Sequence, residues 1–135
     1  MEVQIIAGSK SDEEIVNKII KTLKNTNINF KIDYASAHRD PERVKEIVTK
    51  SQAYVFITIA GLSAALSGVV SSLTNKPVIG VPITSKNCAL GGLDSLLSMI
   101  QMPKGNPVAC VGLNAAENAA FLAERILKAT IEKPR

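Results

Sequence analysis

Val3-Gln4-Ile5-Ile6-Ala7-Gly8, with Ser9-Lys10-Ser11-Asp12-Glu13-Glu14 directly behind it, decides how the rest of the chain is read. The first six residues form a short apolar, β-branched run closed by glycine, as in a strand buried on both faces. Ser11-Asp12-Glu13-Glu14 has the form of a capping-box start, and from Asp12 to about Lys24 apolar residues recur at helical spacing. The opening unit is therefore strand, glycine turn, helix.

Working outward, the same unit recurs. Phe30 to Ser36 precedes a helical segment from Pro41 to about Lys50, and Ala53 to Gly61 precedes one from Ser63 to Leu73. Pro77 to Ile83 precedes Leu93 to Ile100, and Pro107 to Leu113 precedes Ala115 to about Ile131. Five strands alternating with five helices predict a parallel sheet covered on both faces, a single three-layer α/β/α domain over residues 1–135. Right-handed crossovers leave few topologies, and the flavodoxin-like order 2-1-3-4-5 is the expectation. Asp40-Pro41 reads as an N-cap followed by proline at the first helical position, and Asn114 as the cap of the last helix.

A chain of 135 residues, 46% apolar and 21% charged, suffices for one core. No basic segment precedes an apolar stretch at the N-terminus, and no apolar run approaches the roughly 20 residues that span a bilayer. A cytoplasmic protein without membrane contact is expected. Cys88 and Cys110 lie far apart, so neither a zinc site nor a disulfide framework is indicated. Cys110 reads as core packing, and nothing beside Cys88 in the sequence would lower its pKa. The net charge of +4 comes from scattered residues such as Lys18, Lys21, Lys24, Lys45 and Lys50, and the chain has no Trp. That pattern speaks against nucleic acid and suits a small phosphorylated ligand.

In such a sheet, ligands bind at the carboxyl ends of the strands near the reversal of strand order, where the loops after the first three strands converge. Gly8-Ser9-Lys10-Ser11-Asp12 leads into a helix N-terminus, which favours a phosphate but also describes an ordinary capped turn. Ser36-Ala37-His38-Arg39 carries the only histidine, suited to proton transfer or to a structural role, beside an arginine whose fork of donors fits phosphate or carboxylate. Gly61-Leu62-Ser63-Ala64-Ala65-Leu66-Ser67-Gly68 is built mostly of small residues, which admit a ligand to the backbone or serve tight helix packing. Farther on, Gly91-Gly92 reads as a flexible loop before an apolar helix whose Leu/Met face belongs to the core or to a subunit contact.

Together Gly8 to Asp12, Ser36 to Arg39, Pro77 to Pro82, Gly92 to Pro103 and Glu117 to Leu127 resemble the PurE family in order and spacing along nearly the whole chain. The resemblance implies a flavodoxin-like octamer with no metal or organic cofactor. It also implies an enzyme of purine synthesis converting N5-carboxyaminoimidazole ribonucleotide (N5-CAIR) into 4-carboxy-5-aminoimidazole ribonucleotide (CAIR), with CO2 as an intermediate. The alternatives are direct carboxylation of aminoimidazole ribonucleotide (AIR) by CO2, and a non-catalytic nucleotide-binding relative. Carried over by resemblance, His38 is the proton shuttle, and Gly8, Ser9, Ser11, Asp12 and Arg39 hold the ribose phosphate end. Ser36 and Ala37 shape the ring pocket, and Gly61, Ser63, Ala64, Ala65 and Leu66 join the substrate-binding set; released CO2 also needs a closed apolar space, which the small-residue loop from Gly61 to Gly68 is expected to provide.

The chain also departs from the family's common pattern. Ala65 stands where the mutase branch has a histidine, and Ser63 to Gly68 is close to the loop of CO2-using members. Arg39 and the Leu93 to Pro103 segment follow the mutase branch. Asp40 replaces a threonine and puts a negative charge near the expected phosphate site. The sequence ends at Arg135, short of a C-terminal helix that many members set against a neighbouring subunit.

Overall fold

The computed structural model describes residues 3–131. In chain order they form β1 (Val3–Ala7), a 3-10 turn (Lys10–Asp12) running into α1 (Glu13–Asn25), β2 (Phe30–Tyr34), α2 (Pro41–Lys50) and β3 (Val55–Gly61). These are followed by α3 (Leu66–Leu73), β4 (Val78–Ile83), α4 (Leu93–Ile100), β5 (Ala109–Cys110) and α5 (Ala116–Ile131). All strand pairs are parallel and the order is β2-β1-β3-β4-β5, as the alternating pattern predicts.

The apolar runs are buried on both faces because successive side chains alternate across the sheet. Val3, Ile5 and Ala7 of β1, with Val55, Ile57 and Ile59 of β3, pack under α1 and α5 against Val16, Ile19, Ala119 and Ala123. Ile6 and Phe56 point the other way, against Val44 and Ile47 of α2, Val70 of α3 and Met99 of α4. Phe56 is 1% exposed, and burying such a ring contributes about 1.5–3 kcal/mol. Met99 thus belongs to the core, while Leu93, Leu97 and Ile100 stay exposed along one side of α4.

Several local expectations are corrected. The last strand, expected over Pro107 to Leu113, is reduced to Ala109–Cys110. Val111 N–H still donates to the Gly80 carbonyl at 3.0 Å, but the next bond of a parallel ladder would need an N–H at residue 82, which is proline. The Val111 carbonyl instead faces the Cys110 thiol at 3.3 Å, and the chain returns to β4 only where Asn114 N–H reaches the Pro82 carbonyl at 2.8 Å.

Asn114 does not cap α5 with its side chain. Its backbone is left-handed (φ 57°), its Oδ1 accepts from Thr84 N–H at 2.9 Å and its Nδ2 donates to Thr84 Oγ1 at 2.7 Å. Neither Asp12 nor Asp40 makes a side-chain capping bond; Ser9 accepts from Ser11 N–H and caps the 3-10 turn in place of the expected capping box. α3 begins at Leu66, because left-handed Leu62 (φ 56°) and the Ala65 N–H to Ser63 carbonyl contact hold the preceding residues in a loop. Gly92 is buried and fixed: at φ 103°, a Cβ there would stand 2.6 Å from Thr84 Cγ2.

Candidate active site

The carboxyl ends of β1, β2, β3 and β4 open onto a cavity of about 630 Å³, within the size range of small-molecule sites. Strand pairing fixes its base: Gly8 N–H donates to the Ile59 carbonyl at 3.0 Å and Ala35 N–H to the Ala7 carbonyl at 2.9 Å, so the three loops leave the sheet side by side.

The first loop brings Gly8, Ser9, Ser11 and Asp12 to the wall. Ser9 Oγ accepts from Ser11 N–H at 3.2 Å and lies 2.9 Å from Ser11 Oγ, placing two hydroxyls together at the start of the helix. The second loop contributes Ser36, Ala37, His38 and Arg39. It is closed by Arg39 N–H to Ser36 Oγ at 3.2 Å and Asp40 N–H to the Ser36 carbonyl at 2.9 Å. Arg39 Nη2 reaches back across the cavity to the Gly8 carbonyl at 3.3 Å, tying the two loops and leaving the rest of its fork exposed. His38 is exposed at the same rim. Asp40 is exposed and does not line the cavity.

Asp12 is the buried charge of the site. Burial pushes its carboxyl pKa up, while the Ser9 backbone and the Arg39 guanidinium oppose the shift. A buried carboxylate beside hydroxyls and an arginine can accept hydrogen bonds from ligand hydroxyls, the donors a ribose presents.

From the third loop Gly61, Ser63, Ala65 and Leu66 line the cavity, but Ala64 is turned away into the core at 1% exposure. Leu62, which the sequence reading did not single out for the site, lies on the wall in a left-handed backbone that costs a non-glycine residue about 1–2 kcal/mol. Ile83 at the end of β4, with Ser85 and Asn87 from the loop behind it, adds a further wall. β4 is hydrogen-bonded to β3, so its loop overhangs the same space, and Ser85-Lys86-Asn87 is the polar signal that marks it.

Cys88, behind that turn, departs from its expectation. Its pKa is lowered, chiefly by the Ser85 backbone N–H. Cys110 is half-buried and its thiol is pushed up by burial. Among the described residues no three His, Cys, Asp or Glu side chains gather as a metal-binding set, and no helix is long and apolar enough to cross a membrane.

A second cavity, of about 620 Å³, lies at the opposite end of the sheet between the C-terminal ends of α2 and α3, around Ser51, Ser71 and Lys76. Helix ends there present carbonyls instead of N–H groups, which disfavours anions.

The family model described as AIR carboxylase matches residues 2–134. This chain belongs to the AIR carboxylase family. It is 57% identical over 123 residues to the N5-carboxyaminoimidazole ribonucleotide mutase of Methanocaldococcus jannaschii, covering 91% of this chain and 76% of that protein. The enzyme of the same name from Saccharolobus solfataricus is 48% identical over 129 residues, covering 93% and 80%. The crystal structure of Treponema denticola PurE superposes with a TM-score of 0.83 at 35% identity, covering 94% of this chain and 80% of that one. The AIR carboxylase family fold thus accounts for the sheet order and for the loops that converge at its carboxyl edge.

Proposed function

We propose that this chain is an N5-CAIR mutase of purine nucleotide synthesis, with residues 1–135 acting as one catalytic domain. The observation that carries the reading is the meeting in one cavity of the only histidine with Ser9, Ser11, Asp12 and Arg39, on a fold whose relatives are named for this reaction.

In this reading the phosphate lies over the start of the first helix, where Ser9, Ser11 and Arg39 supply donors. The Asp12 carboxylate accepts from ribose hydroxyls, since it would repel the phosphate itself. The N5–carboxylate bond breaks to give CO2 and AIR. As that bond breaks N5 takes a proton from protonated His38; C4 of the ring then attacks CO2, a C4–carboxylate bond forms, and the C4 proton returns to His38. Carboxylate and proton exchange places, so the atoms balance with no co-reactant. Gly61, Ser63, Ala65 and Leu66 bound the space in which CO2 is held. Ser36 and Ala37 shape the ring pocket, and Ala64 supports that wall from behind.

The chain works in the cytoplasm as a homo-oligomer, an octamer by family resemblance, without nucleic acid or membrane. The exposed row of Leu90, Leu93, Leu97 and Ile100 supports assembly. Direct carboxylation of AIR is the second reading, favoured by Ala65, which brings no titratable group to the wall where the mutase branch has a histidine.

The test is a paired assay of CAIR formation from N5-CAIR and from AIR plus bicarbonate. Faster turnover of N5-CAIR at low CO2 supports the mutase. Preference for AIR and CO2 selects the second reading, and inactivity with both leaves a ribonucleotide-binding protein. His38→Asn should keep the fold and lose nearly all turnover; near-wild-type activity would remove the proton-shuttle role.

A further inference from the structure

The turn after β4 is fastened at both ends, yet its tip is free. At its start Thr84 is held through backbone and side chain by Asn114, and at its close Cys88 N–H donates to the Ser85 carbonyl at 3.0 Å. The Cys88 sulfur spreads this anchoring: it lies 3.8 Å from the Ile83 carbonyl, 3.7 Å from Ser85 Oγ and 3.7 Å from Oγ of the buried Ser95 in α4. Ser85 Oγ in turn accepts from Asn87 N–H at 3.2 Å. Asn87 lines the cavity, exposed, and its side chain has no hydrogen-bond partner among the described residues.

We propose that this turn is a substrate-binding wall, with Asn87 as a specificity residue for the heterocycle end of the ligand and Cys88 as the positioning residue that holds it there. The proposal rests on the ribonucleotide reading above. The phosphate donors stand on the loops of β1 and β2, whereas β4 lies two strands from β1, about 10 Å across the sheet. The loops of β2 and β4 line the same cavity from either side of β1 and β3, so a ring resting against Ser36, Ala37 and His38 turns its other side toward Asn87. An amide offers both donor and acceptor, matching an aminoimidazole and its carboxylate. The Cys88 pKa is lowered, chiefly by the Ser85 backbone, in keeping with a sulfur held close against that turn.

Calorimetric binding of AIR and of ribose 5-phosphate to the full chain tests this, because the second ligand lacks the heterocycle. Asn87→Ala and Cys88→Ala should each weaken AIR about tenfold while ribose 5-phosphate changes less than about twofold, the scale of one well-placed hydrogen bond. Cys88→Ser, which restores a hydroxyl near the same partners, should recover most of the AIR affinity, and melting temperatures check that each variant is folded. Equal weakening of both ligands, weakening of neither, or equal loss in Cys88→Ala and Cys88→Ser would overturn the proposal. A wild-type chain that shows the AIR contrast without turning over N5-CAIR sinks the mutase reading and leaves this one standing. Binding of neither ligand sinks both.

Discussion

Thr58→Val should destabilise the protein out of proportion to its size. Thr58 and Ser67 are both 0% exposed, and their hydroxyl oxygens lie 2.7 Å apart, with the Ile79 carbonyl 3.2 Å from Thr58 Oγ1. Every buried side-chain polar atom among the described residues has a partner, so the pair is fully satisfied as it stands. Valine keeps the shape and removes the hydroxyl, stranding Ser67 Oγ without water, which costs about 1–3 kcal/mol. Ser67→Ala strands Thr58 less, because Thr58 keeps the Ile79 carbonyl, and should fall at the low end of that range. The double variant removes both partners and should cost less than the sum of the singles by about 1 kcal/mol, giving measurable coupling in a double-mutant cycle. Urea unfolding followed by circular dichroism reads these values, with every variant at the same protein concentration. Thr58→Val within about 0.5 kcal/mol of wild type, or strict additivity of the pair, would refute the reasoning.

Gly80→Ala should cost about 1–3 kcal/mol, since its Cβ would stand 2.9 Å from Met99 Sδ and 3.1 Å from both Ser67 Oγ and Val108 Cγ1; unchanged urea midpoints would show that α4 yields freely. Asp12→Asn should raise stability at neutral pH, with the gain vanishing as pH falls. The native carboxyl pKa is raised, so its stabilising contribution is complete below the ordinary carboxylate value and is lost as pH rises through the native one. A gain that persisted at acid pH would contradict this. Timed iodoacetamide labelling read by mass spectrometry should modify Cys88 before Cys110, given their opposite pKa shifts; the reverse order would count against the hydrogen-bonded sulfur.

The sheet was legible because its strands are nearly continuous β-branched runs, and a run such as Val55 to Ala60 has no wet face to misread. What escaped was pairing between distant residues. Pro82 inside an apolar run gives no local sign that its missing N–H will end β5, and Asn114 fits a cap until its partner Thr84, thirty residues earlier, is known. The same holds for the site. The strand-order rule marks the loops of β1, β2 and β3, whereas the loop of β4 reaches the cavity only through the pairing of β4 with β3, which no local motif announces. Cys88 misled because the groups around its sulfur, Ser85 and Ser95, are ordinary residues whose approach depends on the turn.

Two features on the cavity wall work against stability: the left-handed backbone of Leu62 and the buried carboxyl of Asp12. Packing explains neither. Leu62 is 48% exposed, so its side chain gains little that would offset a strained backbone, and a neutral residue at position 12 would avoid the burial cost. Elsewhere the chain follows local rules closely, with strand runs buried and polar groups partnered. Away from the cavity the left-handed non-glycine residues are Asn27 and Asn114, a type that tolerates that backbone, whereas a left-handed leucine and a buried carboxyl meeting at one cavity around the only histidine are what a site shaped for a ligand carries. On the ribonucleotide reading proposed above, the ligand would supply the missing compensation: hydroxyls for the Asp12 carboxylate, and a ring for the surface that Leu62 and Ala65 expose.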